Sequence, residues 1–118
     1  MTTVWYHVRD LDSARGFYKD KLGFNETFVD DEGKWSKLER NGMEIGLAEG
    51  EPQDDGGVAH VDVSDVKAVA EELRGQGVEV GVVLELHGAM RLLDVFDPDG
   101  NRLQFAQELS GASGQASP

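Results

Sequence analysis

One tetrapeptide pattern occurs twice in this chain and constrains its fold more than any other feature. Val8-Arg9-Asp10-Leu11 recurs about 55 residues later as Val63-Ser64-Asp65-Val66, each copy closing a strand-like run and opening a helix-like one. Self-similarity at such a period points to one supersecondary unit used twice. In the first copy, Thr3-Val4-Trp5-Tyr6-His7-Val8 is β-branched and aromatic, which predicts a strand. A helix follows from Leu11 and Asp12, with Asp12 as its expected N-cap. Ala14, Phe17, Tyr18 and Leu22 have helical spacing, and Gly23 is the stop. Phe24–Asp30, Lys34–Arg40 and Met43–Ala48 are then expected strands. Asp31-Glu32-Gly33 turns between the first two. Asn41-Gly42 turns between the last two, because both residues tolerate the positive φ of a type I′ hairpin.

The second copy repeats the order. After a polar, acidic connector (about 50–57), Val58–Val63 reads as a strand. Val66, Val69, Ala70 and Leu73 fall at i, i+3, i+4 and i+7 of a helix that stops near Gly75 and Gly77. Val78–Leu86, Ala89–Phe96 and Arg102–Gln107 are three further strands. Between the last two, Asp97-Pro98-Asp99-Gly100 is a tight turn, with the φ of Pro98 preset for its second position. The expectation is an α+β fold of two tandem βαβββ modules in a single domain spanning 1–109. Module one covers about 1–49 and module two about 58–109. Residues 110–118 are small and polar and are expected to be a disordered tail.

The chain has 118 residues and a formal net charge of −12. Nucleic-acid recognition needs a basic footprint, so no nucleic-acid partner is expected. No run approaches the ~18 apolar residues of a membrane span, and no signal segment opens the sequence. A soluble, cytoplasmic protein is expected. There are no cysteines, which removes disulfides and thiolate metal sites. No Gly-x-Ser-x-Gly or phosphate loop is present.

The repeat and two longer motifs resemble the vicinal oxygen chelate superfamily of glyoxalases, bleomycin resistance proteins and dioxygenases. The first motif is Val8-x-Asp10-Leu11-x-Ser13-x-x-x-Phe17-Tyr18 with Leu22-Gly23-Phe24. The second is the closing hairpin Asp97-Pro98-Asp99-Gly100-Asn101-Arg102-Leu103-Gln104-Phe105. The resemblance covers 3–107 and implies a curled mixed sheet around a cleft. In metal-using members, two His and two Glu bind the metal, and their places fall here on Thr3, Gly46, Val58 and Gln104. None is an imidazole or carboxylate, whereas a divalent metal of this class wants both. No metal and no cofactor are therefore expected.

Period-two counting places other side chains on the cleft face. His7 follows Thr3 by four residues, His60 and Asp62 follow Val58, and Glu44 shares parity with Gly46. If a metal were present, His7, Glu44, His60 and Asp62 would be its displaced ligands. Otherwise they line a wet cleft as ligand-binding residues, together with Asp94 and Gln104. His87, flanked by Gly88, reads as an ordinary loop residue. Trp5 has the parity of His7. Trp35 follows Asp31-Glu32-Gly33-Lys34 in a setting similar to one that carries a tryptophan in the bleomycin resistance proteins. That likeness implies a homodimer sequestering a planar, cationic ligand such as an antibiotic, with no catalytic residue. Two enzymatic readings stay open beside it: a metalloenzyme of glyoxalase or dioxygenase type with relocated ligands, and a metal-free enzyme of secondary metabolism.

Overall fold

The computed structural model describes residues 3–52, 57–86 and 88–109. The middle of the expected connector, His87 and the expected tail 110–118 lie outside them. The first half runs β1 (Val4–Val8), α1 (Leu11–Gly16), β2 (Asn25–Asp30), β3 (Trp35–Arg40) and β4 (Met43–Glu49). These strands form one sheet in the order β1-β4-β3-β2, with β1 parallel to β4 and the other pairs antiparallel. The second half runs β5 (Ala59–Asp62), α2 (Val66–Gly75), β6 (Glu79–Val80), β7 (Leu84–Leu86), β8 (Met90–Phe96) and β9 (Arg102–Glu108). Its sheet has the order β5-β9-β8-β6, with β7 also paired to β8 and β5 parallel to β9. Each half is thus one β-α-β-β-β module, and the α+β architecture expected from the repeat is present.

The repeated tetrapeptide earns its place at the helix starts. Asp10 and Asp65 are both extended N-caps, and their carboxylates accept from the Ser13 and Ala68 amides at 3.1 Å. The expected cap, Asp12, is instead inside the first turn and pairs with Arg15 at 3.1 Å. A cap needs non-helical backbone, which Asp10 has and a residue within the turn lacks. Beyond Gly16 the helix widens into a π-helical turn, Phe17–Lys21, and Gly23 ends it at φ +74°. In α2, Val66, Ala70 and Leu73 are buried as the periodicity predicts, each large aliphatic contributing about 1.5–3 kcal/mol. No described helix is long and apolar enough to cross a membrane.

The Asn41-Gly42 hairpin has the expected positive φ at both residues, 52° and 84°. The expected strand Val78–Leu86 is interrupted. Gly81 still donates to the Asp94 carbonyl at 2.8 Å, but Val82 is 71% exposed and lies between β6 and β7. A glycine inside a strand weakens it and marks such irregularities.

Two tyrosines and the closing turn join the halves. Tyr6 is buried, accepts from the Ala59 amide at 2.9 Å and donates to the Arg102 carbonyl at 2.6 Å. Asp97, only 4% exposed, accepts from the Tyr18 hydroxyl (2.8 Å), the Asn101 side chain (2.9 Å) and the Asp99 and Asn101 amides. Asn101 also donates to the His7 carbonyl at 2.9 Å. The turn-former of the sequence is thus a buried acceptor that fixes the hairpin against the π-helical turn that follows α1.

Candidate functional site

On each sheet one face packs on its helix and the other is open. Tyr6 and Val8 of β1, Leu38 of β3, and Ile45 and Leu47 of β4 are buried on the helix side. Trp5 and His7 therefore face the other way, because side chains alternate. Strand register then arranges the open face in rows. Trp5, Gly46, Lys37 and Phe28 form one row across β1, β4, β3 and β2; His7, Ala48, Trp35 and Asp30 form the next.

Phe28 reaches this face through an irregularity. Glu26 pairs with Leu38 on the helix side, and simple alternation would put Phe28 there too. The register shifts between them, so Phe28 pairs with Lys37 instead. Such a bulge spends one extra residue, here Thr27, to re-aim the next side chain. The outcome is an aromatic group. Trp5 and Trp35 meet edge to face, 5.8 Å between centroids at 63°, and Phe28 lies against Trp35 at 4.9 Å and 34°. Trp5 is 40% and Phe28 50% exposed. Trp35 is half-buried between them and the Gly33 turn.

Glu26 anchors the strand that carries the bulge. Arg15 binds it through two nitrogens at 2.6 and 2.8 Å, and the Ser36 hydroxyl donates at 2.6 Å. Chiefly the Arg15 hydrogen bonds hold the Glu26 carboxyl down at about 2. Burial pushes the Tyr6 hydroxyl up to about 12.

The open face of the second sheet carries a polar row: His60 of β5 beside Gln104 of β9 beside Asp94 of β8. Gln104 donates to Asp94 at 3.1 Å, and Arg102 pairs with the same carboxylate at 3.4 Å. In the next row, Asp62 lies beside Ala106. Asp62 and Glu108 flank a hollow of about 370 Å³ with Val63, Met90 and Ala106, a size within the ~300–1,000 Å³ of ligand pockets.

The eight residues singled out in the sequence thus divide between two sheets. Trp5, His7, Trp35 and Glu44 stand on the first, His60, Asp62, Asp94 and Gln104 on the second. The displaced metal set His7, Glu44, His60 and Asp62 is not assembled. Among the described residues no three His, Asp or Glu side chains gather closely enough to hold an ion. Glu44 instead accepts from the Thr3 hydroxyl. The family's own ligand places fit no better: a Cβ at Gly46 would overlap the Trp5 ring, so that place holds an indole rather than a donor. Sequence reasoning missed Phe28, Lys37 and Glu108. Parity alone would have found Lys37 from Trp35 and Glu108 from Gln104, but no local signal announces the bulge that turns Phe28.

Solved structures of similar shape come from several contexts. An integron cassette protein from the mobile metagenome of Halifax Harbour Sewage Outfall matches with a TM-score of 0.79 at 22% identity, covering 91% of this chain and 97% of that one. A bleomycin-binding protein from the bleomycin producer Streptomyces verticillus, complexed with copper(II)-bleomycin, matches at 0.70 and 23%, covering 88% and 92%. Lactoylglutathione lyase from Agrobacterium tumefaciens matches at 0.71 and 14%, covering 91% and 92%. At these identities the likeness is one of fold. A search of curated proteins finds no match to the sequence. A family model does match residues 2–105, from before β1 to within β9, and by it the chain belongs to the Glyoxalase/Bleomycin resistance protein/Dioxygenase superfamily.

Proposed function

We propose that this protein binds a planar, cationic small molecule and holds it without transforming it, as a homodimer and without a metal. The observation that carries the reading is the open aromatic face of Trp5, Trp35 and Phe28. Large aromatics left half-exposed together on one sheet are suited to stacking on a flat ligand, and a cation over an indole ring adds about 0.5–2 kcal/mol. The second sheet supplies carboxylates, with Asp62 and Glu108 beside the hollow and Asp94 in the polar row. When such a sheet faces the aromatic one, ring and charge of a ligand are met from opposite sides. The bleomycin-binding neighbour supports this reading, since it was solved with a bleomycin complex. The metal-dependent alternative lacks suitable donors at Thr3, Gly46, Val58 and Gln104.

Titration with bleomycin and with planar cationic dyes tests the proposal. They should quench tryptophan fluorescence, and binding should weaken as salt rises because part of the attraction is screened. Trp35→Ala should weaken it further. Failure of every cationic aromatic at millimolar concentration, or tighter binding of anionic analogues, would overturn the reading.

A further inference from the structure

Gly46 is buried in the middle of β4, directly between Trp5 on β1 and Lys37 on β3. A Cβ built on it would overlap Cδ2, Cε3 and Cζ3 of Trp5, all atoms of the six-membered ring of the indole. The ring therefore rests on bare backbone, while Trp5 as a whole stays 40% exposed. Glycine inside a strand gives up packing and order, and a close approach by another group is one of its recurrent reasons. Trp35 closes one side of this seat, edge to face at 5.8 Å, and Phe28 extends the wall beyond it.

We propose that Gly46 is a positioning residue for ligand recognition: by seating the Trp5 indole on the backbone it turns the aromatic face into a corner that accepts flat, fused aromatic rings and rejects flexible cations. This rests on the reading of that face as the ligand site. Any larger residue at position 46 lifts or tilts the indole, because the nearby atoms belong to a rigid ring rather than to a flexible chain end. The seat governs which ligands stack and leaves the helix side of the sheet untouched.

The test is a double-substitution cycle on the full chain: wild type, Gly46→Ala, Trp5→Ala and both together. Proflavine serves as a flat, fused, cationic probe and spermidine as a flexible one. Wild type should bind proflavine far more tightly than spermidine. Gly46→Ala should weaken proflavine binding at least tenfold, lower the melting temperature and diminish the circular-dichroism couplet of the Trp5–Trp35 pair. With Trp5 already replaced by alanine, adding Gly46→Ala should neither weaken binding nor lower the melting temperature, and the strand should gain slightly from losing a glycine. If Gly46→Ala alone fails to fold, recovery of folding in the double variant supports the seat, and failure of both overturns it. Wild-type-like binding and couplet in Gly46→Ala overturn it, and so do equal effects with and without Trp5. If wild type binds no proflavine, the ligand reading of the face fails, and the melting and dichroism cycle still decides the seat.

Discussion

The Tyr6 hydroxyl and the Ala59 amide are hydrogen-bonded at 2.9 Å, joining the first strand of one half to the first strand of the other. The same hydroxyl donates to the Arg102 carbonyl at 2.6 Å. Tyr6→Phe takes this partner from the buried Ala59 amide and the part-buried Arg102 carbonyl, a loss of about 1–3 kcal/mol. The melting temperature should fall by several degrees, measurably by calorimetry, with little change in the helix and strand content seen by circular dichroism. The pH dependence has a definite sign. Burial raises the Tyr6 pKa from 10.0 to about 12, so the native state favours the neutral phenol. That stability is fully present below pH 10 and is lost as pH rises from 10 towards 12. Tyr6→Phe should flatten this alkaline decline, and an unchanged decline would refute the assignment.

Glu26 gives the opposite sign. Its carboxyl is lowered from 4.5 to about 2, first by the Arg15 hydrogen bonds and then by that from Ser36 against the cost of burial. The contribution is present above pH 4.5 and is lost as pH falls from 4.5 through about 2. Charge-assisted bonds of this kind are worth on the order of 1.5–3 kcal/mol. Glu26→Gln should destabilise the protein by that order at pH 7, and the gap to wild type should close in acid. Urea titrations at pH 7 and pH 3 measure both.

The fold was legible because its signals are local and used twice. The Val-x-Asp pattern, the helical spacing of Val66, Ala70 and Leu73, and the Asn41-Gly42 turn each act through neighbours in the chain. Even the misplaced cap at Asp12 could be corrected from the sequence, since the repeat aligns Asp10 with Asp65. The site was less legible because it depends on register. Parity placed Trp5, His7 and Trp35 on one face, but the shift after Glu26 reverses parity and brings Phe28 to them. Nor does parity say which sheet faces which: His7 and Glu44 share counting with His60 and Asp62 and yet belong to a different sheet. Asp97 looked like a turn residue because its partners, Tyr18 and Asn101, come together only in the folded chain.

Lys37 tests the sign of the ligand. It stands in the row with Trp5, Gly46 and Phe28, and no ion pair holds it among the described residues. A cation beside the aromatic ring repels a cationic ligand. Lys37→Gln should therefore strengthen binding of planar cations, by up to about fivefold for a solvent-screened charge worth at most ~1 kcal/mol. The gain should shrink at high salt. Weaker binding after the substitution would mean that Lys37 meets an acceptor on the ligand.

Metal removal bears on the chemistry. Thr3, Val58 and Gln104 offer no imidazole or carboxylate at the family's ligand places, and Gly46 lies under the Trp5 ring. Prolonged dialysis against a chelator should leave both ligand affinity and melting temperature unchanged. Added zinc, nickel or iron should not raise either. A stoichiometric ion in elemental analysis of the purified protein, with affinity lost on its removal, would return the glyoxalase-type reading to the front.

Assembly is the remaining expectation, and exposure argues for it. Trp5, Phe28, Val82, Leu84 and Leu86 are 40, 50, 71, 50 and 42% exposed, large apolar groups spread over the open face of the first sheet and the edge of the second. Burial of apolar surface is worth about 25 cal/mol per Å², so a partner able to cover both regions gains substantially. A two-fold pair would do this with one contact used twice, and we propose that it lays the aromatic face of each chain against the polar row His60–Gln104–Asp94 of the other. Light scattering at micromolar concentration should give twice the chain mass of 12.9 kDa. Val82→Lys together with Leu84→Glu should shift that mass towards the monomer. If each cleft is completed by both chains, planar cations should then bind at least tenfold more weakly, with Trp5 and Trp35 still in place. A monomeric wild type, or a monomeric variant that binds as well as wild type, would show that one chain completes its own site.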